Sequence, residues 1–212
     1  MSRNPEVSGV YTIIDPEATK NRNIFEITKQ VLSGGVKVFQ YRDKINDRSE
    51  FLENAFKLKE LSKDYSACFV INDAVDIARI VGADYIHVGQ SDLPVKYCRE
   101  ILNPYQKIGR SNGSIKEALE SDDMGVDYLA IGAIFGTDTM GKSHRKPLGE
   151  KIVSEIKSKS DLPVVAIGGI GIDNLDIIKQ SGADSVCIVS AITYAENPEL
   201  SAKKIVDLWD GI

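Results

Sequence analysis

Two histidines, three cysteines and a single tryptophan are all that this 212-residue chain carries of those residue types. The cysteines, Cys68, Cys98 and Cys187, are odd in number and far apart, and no C-x-x-C pair occurs. That excludes a thiolate zinc site and a disulfide framework. Cys68 and Cys187 lie inside apolar runs and read as reduced core thiols, which fits a reducing cytoplasm. Cationic residues are in deficit, with Lys+Arg 26 against Asp+Glu 31 and a net charge of −5. A general nucleic-acid binder needs a basic stripe, and none is present. An anionic small molecule is not excluded, because backbone N–H groups can hold a phosphate locally. Long apolar runs are missing too. None approaches the ~20 residues that cross a bilayer, and no amphipathic anchor is visible. The polar stretch Met1–Ser8 lacks the apolar centre of a signal peptide. The expectation is a cytoplasmic protein with neither nucleic acid nor membrane as partner.

What the chain does have is alternation. Short β-branched runs recur at Val10–Ile14, Val36–Arg42, Cys68–Asn72, Tyr85–Val88, Lys107–Ser111, Tyr128–Ile131, Pro163–Ile167 and Ser185–Val189. They are apolar on both faces, as buried parallel strands are. Helical periodicity fills the gaps. Ile24–Leu32 ends at Gly34-Gly35, and Ser49–Leu61 has apolar residues near 3.6 spacing. Asp73–Val81, Pro94–Leu102, Ser114–Ser121, Gly149–Lys159, Asp173–Ser181 and a segment from Pro198 complete the set. Ser114 and Glu117 form a capping-box pattern. Gly-Gly-Val-Lys-Val, Gly-Ala-Asp-Tyr-Ile, Gly-Val-Asp-Tyr-Leu and Gly-Ala-Asp-Ser-Val each bridge a helix end to a strand start, with Gly stopping the helix.

Strands alternating with helices imply a parallel α/β sheet with right-handed crossovers. The length suits a single (β/α)8 TIM barrel over 1–212, a fold that typically needs about 200–250 residues. A doubly wound open sheet is the structural alternative.

In a barrel, chemistry sits at the C-terminal ends of strands. After the second run come Gln40, Arg42 and Lys44, on one side by alternation, suited to a phosphate or diphosphate. The plain alternative pairs Arg42 with Asp43. Asn72 ends the third run and Asp73 follows it; His87 lies in the fourth, with Asp92 beyond it. The two carboxylates beside an amide and cations suit Mg2+ on a diphosphate, since Mg2+ takes one or two carboxylates plus phosphate oxygens and water. The plain alternative makes Asp73 and Asp92 helix N-caps. His87 reads as a hydrogen-bonded barrel residue rather than a ligand. The long loop Gly132–Leu148 carries Thr137 and Thr139, hydroxyls that could hold a phosphate, or a plain polar surface. Gly168-Gly169-Ile170-Gly171 after the seventh run and Val189-Ser190 after the eighth read as a phosphate cup. They do not fit a dinucleotide fingerprint.

Together these motifs resemble the thiamine-phosphate synthase family. Gln40-Tyr41-Arg42-Asp43-Lys44, Ile71-Asn72-Asp73, His87-Val88-Gly89-Gln90-Ser91-Asp92 and Gly109-Arg110-Ser111 fall in family order. So do Gly132-Ala133-Ile134-Phe135, Thr137-Asp138-Thr139, Ile167-Gly168-Gly169-Ile170 and Val189-Ser190. The resemblance implies a transferase that joins a pyrimidine diphosphate to a thiazole phosphate with Mg2+ as helper. It implies pyrimidine diphosphate on Gln40, Arg42, Lys44, Asn72 and Ser111, and Mg2+ on Asp73 and Asp92. Thiazole phosphate would meet Thr137, Thr139, Gly168, Gly169, Val189 and Ser190. Arg42, Lys44, Ser111 and Lys142 would be catalytic. The family's loop lysine directly follows the second Thr, whereas here Met140 and Gly141 precede Lys142. Gly113 stands where the family often has His or Thr. A thiazole tautomerase-like barrel and a non-catalytic thiamine-precursor binder are the related alternatives. The two substrates are the expected small-molecule partners, and a homo-oligomer is compatible with the chain.

Overall fold

The computed structural model describes residues 6–20, 22–139 and 146–212. Strands β1 (Gly9–Ile14), β2 (Val38–Tyr41), β3 (Cys68–Asn72), β4 (Tyr85–Val88), β5 (Lys107–Asn112), β6 (Tyr128–Ile131), β7 (Val164–Ile167) and β8 (Ser185–Cys187) pair in parallel in chain order. β8 returns to β1 in register Gly9↔Ser185 to Tyr11↔Cys187. The ring is closed, so the fold is the (β/α)8 TIM barrel and not the open doubly wound sheet.

The strand pleat explains why the runs are apolar on both faces. On β3, Cys68 and Val70 enter the barrel interior with Tyr11, Tyr128 and Val165. Phe69 and Ile71 face outward into the layer beneath the helices. Phe39 and Phe69 pack there with ring centroids 5.0 Å apart. Each such side chain, fully buried, contributes about 1.5–3 kcal/mol of transfer free energy.

The helices are α1 (Ile24–Ser33), α2 (Arg48–Asp64), α3 (Val75–Val81), α4 (Val95–Ile101), α5 (Ile115–Asp123), α6 (Lys151–Lys157), α7 (Leu175–Gln180), α8 (Ser190–Thr193) and α9 (Pro198–Asp210). Local chemistry sets their starts. Asn23 caps α1 through Phe25 and Glu26 N–H, Asp47 caps α2 through Ser49 and Glu50 N–H, and Asn197 caps α9 through Leu200 N–H. The capping box at Ser114 is half realised. Its hydroxyl accepts from Glu117 N–H at 3.2 Å, but the Glu117 carboxylate accepts from Gly113 N–H at 2.6 Å, one residue earlier than the box requires. The expected helix Asp173–Ser181 divides into a 3-10 turn Ile172–Asn174 and α7.

The glycine-bearing repeat does more than stop helices. In three of its copies the Asp accepts from a backbone N–H in the first two residues of the preceding strand: Asp84 from Phe69 at 2.8 Å, Asp127 from Ile108 at 2.7 Å, Asp184 from Val164 at 2.7 Å. The same carboxylates take Lys59 of α2, Arg99 of α4 and Lys157 of α6. Each clamp ties two strands and a helix at the N-terminal mouth, leaving the opposite mouth to the loops. Among the described residues no helix is long and apolar enough to cross a membrane.

Candidate active site

A cavity of about 1120 Å3 opens at the C-terminal ends of the strands. Gln40, Arg42, Lys44, Asn72, Asp73, Asp92, Ser111, Thr137, Thr139, Gly168, Gly169, Val189 and Ser190 all line it. Lys142 lies outside the described residues. Parity along β2 puts Gln40, Arg42 and Lys44 on the cavity side, while Tyr41 packs outward at 4.9 Å from the Phe51 ring.

Arg42 is not paired with Asp43. It is bound by Asp15, a fully buried residue just past β1 whose other oxygen accepts from Glu17 N–H at 2.9 Å. Asp43 is engaged by the Tyr41 hydroxyl, the Asn46 amide and the backbone N–H groups of Ile45 and Asn46. Burial by itself would raise the Asp43 acid, but these donors outweigh it and hold the carboxyl below its ordinary range. Asp15 therefore presents the Arg42 guanidinium to the cavity in a fixed pose. Its signal in the sequence was an Asp closing an apolar run, the same signature that marks Asp73.

Asp73 does not cap α3. The cap position is Ala74, without a side-chain cap bond, and α3 starts at Val75 rather than at Asp73. Asp73 itself is left-handed, at φ 57°. That backbone turns its carboxylate toward Lys44 Nζ, 2.6 Å away. Asp92 does not cap α4 either, where Pro94 holds the cap position. Its Oδ2 accepts from Gly89 N–H at 2.7 Å. Burial pushes the Asp92 acid above its usual value, the neighbouring Asp73 carboxyl adds to this, and Gly89 N–H and Lys44 oppose it. Two neighbouring carboxyl groups with the Lys44 cation alongside are what a divalent ion would neutralise. Among the described residues no group of three His, Cys, Asp or Glu could cage a metal alone. The donor set fits Mg2+ completed by phosphate oxygens and water.

Across the barrel, Thr139 Oγ1 donates to Ser190 Oγ at 3.2 Å, joining the loop after β6 to the first turn of α8. Gly168 and Gly169 have φ 102° and 64°, and a β-carbon on either would lie 2.6 Å from Ala133 or 2.4 Å from Gly136 O. Glycine there is required by the approach of one loop to another within the protein. Lys146 also lines the cavity, from the far end of the same loop, and had no signal beyond its charge.

The polar floor was the least legible part. Gln40 Nε2 donates to Tyr11 Oη at 2.7 Å, Tyr11 and Tyr128 hydroxyls lie 3.3 Å apart, and Tyr128 Oη is 2.7 Å from His87 Nδ1. His87 Nε2 is 2.8 Å from Ser111 Oγ. His87 is thus a hydrogen-bonded barrel residue, as its sequence context suggested.

Known proteins bear on this site. The thiamine monophosphate synthase family model matches residues 10–192. Thiamine-phosphate synthase from Desulfitobacterium hafniense (strain DSM 10664 / DCB-2) is 39% identical over 200 residues, covering 94% of this chain and 96% of that protein. Its counterpart in Clostridioides difficile (strain 630) is 40% identical, covering 94% and 92%. Among solved structures, thiamine phosphate pyrophosphorylase from Pyrococcus furiosus superposes with a TM-score of 0.85 at 33% identity, covering 95% of this chain and 96% of that one. The chain belongs to the thiamine monophosphate synthase family of transferases.

Proposed function

We propose that this enzyme condenses 4-amino-2-methyl-5-hydroxymethylpyrimidine diphosphate with 4-methyl-5-(2-hydroxyethyl)thiazole phosphate, giving thiamine phosphate and diphosphate. The observation that carries the reading is the Asp73–Asp92 carboxyl pair beside Lys44, facing the Thr139–Ser190 bridge across the same cavity. One side suits a metal-bound diphosphate, the other a single phosphate.

The bond between the pyrimidine's exocyclic methylene carbon and the diphosphate oxygen breaks, and its electron pair leaves with diphosphate. The thiazole nitrogen then supplies a lone pair to the resulting cation and forms the new C–N bond. Mg2+ held by Asp73 and Asp92 supplies charge neutralisation on the diphosphate when bound. Arg42, fixed by Asp15, and Lys44 stabilise the same charge as it develops. Ser111 and Asn72 orient the pyrimidine diphosphate with Gln40. Thr137, Thr139, Ser190 and the backbone at Gly168, Gly169 and Val189 hold the thiazole phosphate. Lys142 is the proposed loop cation. No protein nucleophile is needed, and the buried thiols of Cys68, Cys98 and Cys187 take no part.

The test is a coupling assay with both substrates and Mg2+, with and without EDTA, following thiamine phosphate as fluorescent thiochrome. Mg2+-dependent product supports the reading. No product from folded protein, beside a working control enzyme, overturns it in favour of a tautomerase or a binder.

A further inference from the structure

The phenols on the cavity floor have no part in the scheme above, yet they connect its two ends. Gln40 on β2, Tyr11 on β1, Tyr128 on β6, His87 on β4 and Ser111 on β5 form one continuous hydrogen-bonded chain. The first and last members line the cavity as proposed substrate contacts. The three middle members are buried.

The direction of the chain follows from the donors available. Gln40 presents its NH2 to Tyr11, so Tyr11 accepts there and spends its own proton on Tyr128. Tyr128, having accepted, donates to His87 Nδ1. An imidazole that accepts at Nδ1 carries its proton on Nε2 when neutral, and that proton points to Ser111 Oγ. Ser111, having accepted, offers its own proton elsewhere. Gln40, having turned its NH2 to Tyr11, turns its carbonyl oxygen away from it. Burial raises the pKa of both Tyr11 and Tyr128 well above the ordinary phenol value, so both keep the protons that this ordering uses. The Tyr128 ring is also held mechanically. It stacks on the His87 ring, with centroids 5.7 Å apart and planes at 21°, in a row where His87, Gly109 and Tyr128 are register partners on β4, β5 and β6.

We infer that Tyr128 is a positioning residue: with Tyr11 and His87 it orders a one-way hydrogen-bond chain that makes Ser111 a donor, and Gln40 an acceptor, toward the substrate. The inference rests on the proposed function for what those two groups meet. Ser111 donates to an oxygen of the diphosphate ester as its bond to carbon breaks. Gln40 accepts from a polar N–H on the pyrimidine.

Two measurements test it. The chain has two histidines, so nitrogen NMR of 15N-histidine-labelled protein, with His144→Gln for assignment, reads the His87 tautomer without substrate. The expected result is the Nε2–H form in the wild type, lost or mixed in Tyr128→Phe, and retained in the neighbouring control Tyr85→Phe. In the coupling assay Tyr128→Phe lowers kcat by about tenfold or more, as misplacement of a contacting group does. KM for the pyrimidine diphosphate moves less than about threefold. Tyr11→Phe acts mainly on that KM, through Gln40. An Nδ1–H tautomer in the wild type, a tautomer indifferent to Tyr128→Phe, or an unchanged kcat overturns the inference. A wild type that forms no product overturns the synthase reading instead, and the NMR result then still decides the ordering of the chain.

Discussion

Tyr128 and Gly109 are partners in register on neighbouring strands, and the phenol ring fills the space that any side chain at 109 would need. A β-carbon built on Gly109 lies 2.0 Å from Tyr128 Cζ, against ring atoms that have no room to retreat. Gly109→Ala should therefore destabilise the barrel by about 1–3 kcal/mol, the usual cost of overpacking. Chemical denaturation measures this. Adding Tyr128→Ala should recover part of the Gly109→Ala loss, giving a coupled cycle rather than a sum. Strict additivity would show that the ring does not depend on the missing side chain.

Asp73 and Asp92 should each be worth at least ~100-fold in coupling rate when changed to Ala, through lost charge stabilisation on the leaving diphosphate. Near-normal rates in both variants would remove the metal assignment. The left-handed backbone of Asp73 adds a second, separable effect. Asn tolerates that conformation better than Ala, so Asp73→Asn should be as inactive as Asp73→Ala but more stable by up to ~1 kcal/mol.

The loop cation is tested by Lys142→Ala beside Lys146→Ala. The proposal expects the first to lower kcat by about tenfold or more, with the second milder. The reverse order would assign the role to Lys146, which lines the cavity.

Asp43 sets an acid limit on stability. Its folded-state pKa lies below the ordinary value, so its contribution is fully present above the unfolded pKa of about 3.9 and is lost as pH falls through the folded one. Relative to Asp43→Asn, the wild type should keep a constant advantage between about pH 5 and 8. That advantage should shrink below about pH 4. Urea midpoints across pH would show it, and a gap that widens toward acid would contradict the assignment.

The clamps at the opposite mouth should affect stability without affecting catalysis. Asp84 and Lys59 are 13% and 15% exposed, and Asp84→Ala leaves both Lys59 and the Phe69 N–H without this acceptor. The expected loss is about 2–4 kcal/mol, with kcat and KM of the folded protein unchanged. A catalytic defect at full stability would show that the two mouths are not independent.

Much of this architecture was legible because it is written locally. Period-two alternation placed Gln40 and Arg42 on the cavity side, and glycines after α1, α3, α5 and α7 marked the helix ends, with Gly35, Gly82, Gly125 and Gly182 all at positive φ. The strands were read nearly to the residue, although β2 is shorter than the run Val36–Arg42 and β8 stops at Cys187. What was not legible depends on the barrel closing. Asp15 finds Arg42 across the β1–β2 seam, and Tyr11 finds Tyr128 across 117 residues of chain. Such meetings are fixed by shear and by side-chain reach, which no spacing rule along the chain encodes. The choice between the two readings of Asp73 was hidden for a related reason. An Asp before an apolar helical stretch has the signature of an N-cap, and only the left-handed turn frees its side chain for Lys44.

The aspartate clamps fall on alternate seams: β3 with β4, β5 with β6, β7 with β8. The barrel is in this sense modular, three two-strand cassettes each carrying its own lock, plus the β1–β2 pair, where Val36-Lys37 occupies the corresponding place. Divided between β4 and α4 or between β6 and α6, the chain yields fragments that keep every lock and its keyhole together. Divided between β3 and β4, it leaves Asp84 on one fragment and the Phe69 N–H on the other, so reassembly of split halves should depend on which seam is cut.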